Sequence, residues 1–287
     1  MTVPLDKRLN AFRPDLADAR LKGQVEADRF VEGRLEAVVE PIAPLRRQPR
    51  PDAPLETEAL FGETVRVFET DEEGWSYVQL QSDRYVGYMP TTALGPLPGA
   101  PTHRVRVPRT LLFPGPDIKL PPLAGLPMGA RIVAFGTAAD RNARYVVTHP
   151  AGAIVEQHLA GLGETEADFV AVAERFLGTP YLWGGKSTLG VDCSGLVQVA
   201  LAMAGIAAPR DTDLQEQGLG TRLADIEPLA RGDLVFWKGH VGIMRDGATL
   251  LHANAHHMMT AVEPLADAVA RAEAKGSAVT SVRRLKR

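Results

Sequence analysis

Asp192-Cys193-Ser194-Gly195-Leu196 holds the only cysteine of the 287-residue chain. A glycine-rich aromatic loop, Tyr181-Leu182-Trp183-Gly184-Gly185, precedes it. The apolar run Leu196 to Ala204 follows and reads as a helix that Gly205 closes. A thiol in the first turn of a helix feels the positive end of the helix dipole, which favours thiolate over thiol. The alternative is a small buried apolar residue, the usual fate of a free cysteine. Two downstream histidines, His240 and His252, decide between these readings. A nucleophile, a base and an orienting group are what thiol acyl transfer requires.

Both histidines fall on one expected hairpin, with Val241–Met244 and Thr249–His252 flanking Arg245-Asp246-Gly247-Ala248. A two-residue Asp246-Gly247 loop pairs His252 with Val241. A three-residue loop, with Gly247 left-handed, pairs Met244 with Ala248 and His240 with His252. The second register is preferred, because it stands the imidazoles opposite one another with Cβ atoms roughly 5 Å apart. A slip of one residue would turn His252 to the other face. On this reading Cys193 is the nucleophile, His240 the base and His252 the group that holds the base in a productive tautomer. The backbone N–H of Cys193 is the expected oxyanion donor.

Around this core, composition narrows the class. Lys+Arg 32 against Asp+Glu 35 is nearly balanced and forms no basic stripe, so nucleic acid is not an expected partner. One cysteine excludes an internal disulfide. No run approaches the roughly 18 apolar residues of a membrane span, and the first residues lack a signal-peptide core. A cytoplasmic protein without membrane contact is expected. Gly185-Lys186-Ser187 is no phosphate loop, because Pro180 stands where the pattern demands glycine. His252, His256 and His257 lack a second cysteine or a clear ligand spacing, so neither a metal nor any other cofactor is expected.

Upstream, residues 1–35 read as an arm, with a short helix possible over Leu16–Leu21. Two similar segments follow, expected at 36–98 and 99–161. Gly62 to Phe68, Trp75 to Val78 and Gly87 to Met89 recur as Gly129 to Phe135, Ala143 to Val146 and Gly152 to Ile154, at offsets of 67, 68 and 65 residues. Each block alternates apolar and polar residues, the pattern of half-buried strands in small barrels. The aromatics Trp75, Tyr77 and Tyr88 are expected in the core rather than in a peptide groove. From residue 162 onward, helices followed by an antiparallel sheet make an α+β domain. A capping-box-like start at Thr165-Glu166-Ala167-Asp168 opens its first helix.

Together, Tyr181-Leu182-Trp183-Gly184-Gly185, Asp192-Cys193-Ser194-Gly195, Gly232-Asp233-Leu234, Gly239-His240-Val241-Gly242-Ile243 and Leu251-His252-Ala253 resemble the NlpC-type cell-wall cysteine peptidases. The resemblance covers about residues 163–262. It implies a papain-like catalytic fold, with Cys193, His240 and His252 as the catalytic residues. The two upstream segments resemble bacterial SH3-like barrels. One subgroup places two such barrels before the catalytic domain. It cleaves the γ-D-glutamyl–diamino acid bond of peptidoglycan stem peptides bearing a free N-terminal L-alanine. That resemblance implies recognition of the substrate's amino end by Glu63 and Tyr85, and substrate contacts from Trp183, Asp192, Ser194 and Thr212. A role in murein peptide recycling follows from it. A wall-binding protein without activity and a thiol acyltransferase on the same scaffold are the competing readings. An intact Cys193, His240 and His252 set argues against the first.

Overall fold

The computed structural model describes residues 5–149, 152–224 and 228–285. The chain separates into two units, Met1–Leu162 and Gly163–Arg287.

The first unit is built almost wholly of strands. Arg34–Val38, Ile42–Arg46, Leu55–Leu60, Thr64–Thr70, Trp75–Leu80, Val86–Pro90 and Leu94–Gly95 make one seven-stranded sheet. Its alternating apolar positions enclose Val38, Leu45, Val65, Val67, Val78, Leu80, Tyr85 and Met89. A second, five-stranded sheet runs from His103 to Gly161 and encloses Val105, Leu126, Ile132, Val146, Ile154 and Leu159. The sequence offset reappears in three dimensions. Ala37 pairs with Thr64 in the first sheet, and Arg104 with Arg131 in the second, each 67 residues on. A bulge between Val67 and Glu69 recurs between Ala134 and Gly136. A 3₁₀ turn at Thr91–Ala93 recurs at Glu156–His158.

In each sheet the long strand is entered through a left-handed glycine, Gly62 at φ 74° and Gly129 at φ 89°. Gly62 also sits against the second sheet. The Arg131 N–H donates to the Phe61 carbonyl at 2.8 Å, and a Cβ on residue 62 would lie 2.1 Å from the Arg131 carbonyl oxygen. Only glycine meets both demands.

The expected helix over Leu16–Leu21 shrinks to one 3₁₀ turn, Ala19–Leu21. Leu16 and Ala11 are instead buried against Phe68, Tyr77 and Val86. The Arg13 guanidinium lies 4.8 Å over the Tyr77 ring, meets Tyr88 Oη at 3.1 Å and pairs with Glu69. The aromatic face of the first barrel is thus covered by the chain's own arm.

The second unit has four helices among its described residues: α1 (Phe169–Glu174), α2 (Cys193–Met203), α3 (Thr212–Gly218) and α4 (Leu265–Glu273). Asp168 caps α1 through the Val170 N–H, so the cap is the last residue of the expected box and not its first. Its sheet carries the strands Leu234–Trp237, His240–Met244, Thr249–Asn254 and Met259–Pro264 as consecutive neighbours, with Val279–Arg284 beside the first. One face buries Val235, Trp237, Met244 and Leu250 under α4. The apolar helix α2 packs against the His240 and Thr249 strands.

Candidate active site

The thiol end of the site is set by the start of α2. Asp192 is extended and caps the helix, accepting from the Gly195 N–H at 2.7 Å. Its carboxylate also accepts from the Gly184 N–H at 2.8 Å and, bidentately, from Arg210 at 2.9 and 2.7 Å. Arg210 is 1% exposed and donates further to Ser194 Oγ at 2.9 Å and to the Gly185 carbonyl. Gly195 is required because a Cβ there would stand 2.3 Å from that Gly185 carbonyl oxygen. Glycine loop, helix start and the Arg210 segment are therefore one buried polar knot. Gln215 of α3 ties in the same region by donating to the Ser194 and Pro209 carbonyls.

Cys193 lies inside this knot, 6% exposed. Its sulfur is 3.7 Å from Thr212 Oγ1, and α2, which carries it, packs against the strand that begins at His240. Burial pushes the thiol up to about 11, and the Asp192 carboxylate adds to the rise. Thr212, the Val241 N–H and Arg210 oppose it but do not overcome it. The helix-dipole expectation of a resting thiolate is thus reversed, because desolvation and the negative cap outweigh a partial charge.

The imidazole end is built differently. His240 Nε2 and His252 Nδ1 are 2.8 Å apart. The hairpin register differs from both expected ones. Ile243 pairs with Leu251 and Met244 with Leu250, and the Arg245 N–H donates to the Thr249 carbonyl. Continued, this register puts His252 opposite Gly242. The turn is wider because Asp246 accepts from the Ala248 and Thr249 N–H groups, and Gly247 is not left-handed. A shift of two residues preserves the face, so the rings meet as diagonal neighbours, within reach of long side chains.

The same diagonal step repeats on the next strand. Leu250 pairs with Glu263, and His252 Nε2 meets Glu263 Oε1 at 2.8 Å. Arg271 of α4 holds Glu263 in turn, with Nη1 2.8 Å from Oε2 and Nη2 bonded to Oε1. Burial works to raise Glu263, but Arg271 and His252 overcome it and hold the carboxyl at about 2. Burial pushes His252 down to about 4 against the pull of Glu263, and pushes His240 down to about 3 with His252 and Arg271 adding to the fall. The rings are neutral at pH 7, and the network fixes their protons. Glu263 accepts only, so His252 carries its proton on Nε2 and accepts on Nδ1. His240 must then donate from Nε2, which leaves His240 Nδ1 without a proton and able to accept one. Trp237, 3% exposed, packs its ring 5.6 Å from that of His240 and shields it from water.

The other expected residues are placed as follows. Ser194 and Thr212 line the thiol end, at 5% and 8% exposure. Trp183 stands out from the loop before the helix, 65% exposed. Tyr181, at the start of that loop, has its phenol pushed up by burial and by Cys193 and Asp192. Both Asp192 oxygens already hold protein donors. Glu63 and Tyr85 belong to the first unit. Glu63 Oε2 accepts from the Leu60 N–H at 2.7 Å, and the Tyr85 hydroxyl donates to Glu56 at 3.4 Å from within the barrel core. Sequence reasoning missed Arg210, Glu263 and Arg271. Arg210 lies two residues before Thr212, and its charge alone did not mark it as a buried partner of Asp192. Glu263, eleven residues past His252 on a strand ending in Pro264, carried no local signal.

Three comparisons bear on this geometry. The sequence profile of the NlpC/P60 family matches residues 178–275, and that of the bacterial dipeptidyl-peptidase Sh3 domain matches residues 45–94. The γ-D-glutamyl-L-lysine dipeptidyl-peptidase of Bacillus subtilis is 32% identical over 226 residues, covering 70% of this chain and 73% of that protein. Dipeptidyl-peptidase 6 of Lysinibacillus sphaericus is 39% identical over 85 residues, 30% of this chain and 31% of that protein. In three dimensions, an NlpC/P60 family protein from Bacillus cereus superposes with a TM-score of 0.73 over 88% of this chain and 99% of its own, at 22% identity. That likeness speaks for the fold.

Proposed function

The chain belongs to the NlpC/P60 family and is a cysteine peptidase acting on peptidoglycan, and from that premise we propose that it cleaves the γ-D-glutamyl–L-diamino acid bond of stem peptides with a free N-terminal L-alanine. The observation that carries the mechanism is the contact of one strand with both ends of the site. The helix that begins at Cys193 packs on this strand, and the strand's first residue, His240, bonds His252.

In this mechanism the resting pair is neutral thiol and neutral imidazole. His240 Nδ1 takes the Cys193 proton as the sulfur attacks the γ-glutamyl carbonyl carbon. The Cys193 N–H, at the positive end of α2, stabilises the oxyanion. The protonated His240 then gives its proton to the departing amine, and water hydrolyses the thioester in a second turn of the same cycle. The imidazolium forms only transiently, in a site where burial disfavours it, so the His252–Glu263 chain contributes by spreading and fixing that charge. Asp192 and Arg210 act by holding the helix start. Thr212, Ser194 and Trp183 border the substrate.

The two barrels supply the argument for Glu63. Its counterpart one repeat later is Ala130, and that turn closes with the same backbone bond: the Glu63 N–H reaches the Leu60 carbonyl at 3.0 Å, and the Ala130 N–H the Pro127 carbonyl at 3.2 Å. The second repeat closes this turn without a carboxylate, and Glu63, whose Oε2 the Leu60 N–H orients, is the group we assign to recognition of an ammonium. We read the second barrel as SH3-like too, on the shared bulge, 3₁₀ turn and register. Small released peptides, as in murein recycling, are the substrates that such recognition favours. The test is cleavage of L-alanyl-γ-D-glutamyl-L-lysine against its N-acetylated form. The expected result is cleavage of the free peptide only, and a Glu63→Gln variant losing about 3–5 kcal/mol of recognition, a hundredfold or more in kcat/KM. Equal cleavage of both peptides would refute the amino-end requirement.

A further inference from the structure

The loop between the His252 and Glu263 strands carries His257, half-buried. One ligand atom each from His252, His257 and Glu263 lie within 4.8 Å of one another. His240 occupies Nδ1 of His252, so Nε2 is its ligand atom, and it already lies 2.8 Å from Glu263 Oε1. His257 is oriented by Asn254, whose Oδ1 accepts from its backbone N–H at 2.8 Å and lies 3.1 Å from its Nδ1. A second-side hydrogen bond of this kind fixes the tautomer of metal-binding histidines and leaves Nε2 to the ion. Two imidazoles and a carboxylate with an open fourth position form a zinc-type donor set.

We propose that His252, His257 and Glu263 form an inhibitory Zn²⁺ site that switches off the base His240. The inference rests on His240 acting as that base. Zinc on His252 Nε2 leaves the neutral ring only one place for its proton, Nδ1. That N–H then points at His240 Nε2, which must accept instead of donate. The His240 proton moves to Nδ1, where the thiol proton has to be received. Each ring keeps one proton, Glu263 is already a carboxylate, and no net proton is released. The Arg271 Nη2 bond to Oε1 is given up, while the Nη1 bond to Oε2, at 2.8 Å, is retained. Arg271 has a side chain 25% exposed and can turn outward.

The test separates metal binding from peptide cleavage. Zinc chloride is titrated calorimetrically into the full chain carrying Cys193→Ala, in buffer free of chelators and thiols. The expected result is one bound ion per chain, weakened at least tenfold when His257→Ala is added, the usual scale for a lost contact at such a site. In the protein with Cys193 intact, His257→Ala should leave kcat/KM within twofold and demand at least tenfold more zinc for half-inhibition. No binding by the Cys193→Ala chain, or binding indifferent to His257, overturns the site. Binding through His257 without inhibition overturns the switch. Binding through His257 in a chain whose unsubstituted form cleaves no peptide leaves the metal site standing and removes the proposed function instead.

Discussion

The two ends of the candidate active site are made by opposite means. At the thiol end one helix start gathers everything. Asp192, Ser194, Gly195 and the Gly184–Gly185 loop lie within a dozen residues, and Arg210 locks them from 18 residues on. At the imidazole end each member comes from a different element: His240, His252 and Glu263 from three neighbouring strands and Arg271 from α4. The first end is rigid because its charges are saturated. The second is a line of single hydrogen bonds whose proton positions depend on the charge at its far terminus. The difference predicts stability effects from the thiol end and proton-transfer effects from the imidazole end.

The largest effect is expected where the two ends meet. Cys193→Ala and His240→Ala should each reduce kcat by about four orders of magnitude or more, since in the proposed mechanism they act as a unit, nucleophile and base. Circular dichroism should show an unchanged fold. Turnover near that of the unsubstituted protein in either variant would break the division of labour altogether.

Next comes the lock. Arg210→Ala leaves Asp192 charged and unpaired in the interior, which costs about 3–5 kcal/mol. Urea unfolding of the second unit should shift accordingly. Loss of activity without loss of stability would mean that Arg210 acts on the substrate rather than on the helix start.

The imidazole line should respond in rate and not in binding. Glu263→Gln keeps the shape but lets an N–H face His252, so part of the population carries the His240 proton on Nδ1. We expect kcat to fall about ten- to a hundredfold, of the order seen for outer-shell partners, with KM little changed. ¹⁵N chemical shifts of the histidines should report the tautomer change directly. An unaltered His240 tautomer in this variant would show that Glu263 does not set the line.

A smaller effect concerns acid. His240 and His252 bind protons less readily folded than unfolded, at about 3 and about 4 against an ordinary 6.5. Groups depressed in this way give stability that is present above pH 6.5 and lost as pH falls toward 4. The Tm of the second unit should therefore drop between pH 6.5 and 4, and the drop should be smaller in a His240→Ala, His252→Ala double variant. An equal drop would assign the acid sensitivity elsewhere.

The same contrast explains what could be read from the sequence. The thiol end is local, so its residues announced themselves together, and the helix that begins at Cys193 ends beside Gly205 as its pattern requires. The repeat between the two sheets of the first unit was legible because a repeated turn, bulge and strand leave a repeated pattern. The imidazole end depends on strand register. Asp246 bracing the turn moved the hairpin by two residues, which kept the face and so kept the histidines in contact. Glu263 and Arg271 could not be found, because a partner two strands away leaves no spacing in the chain. The thiol's elevated proton affinity was missed for another reason. The dipole was visible in the sequence, while the burial that outweighs it was not.

The central claim is that Cys193 breaks one particular amide, and product identity tests it most directly. L-Alanyl-γ-D-glutamyl-L-lysine is incubated with the full chain and with its Cys193→Ala variant, and the products are separated and weighed by mass spectrometry. The account predicts L-alanyl-γ-D-glutamate and free lysine in equal amounts from the first and intact tripeptide from the second. Release of free alanine, or the same products from Cys193→Ala, would contradict it.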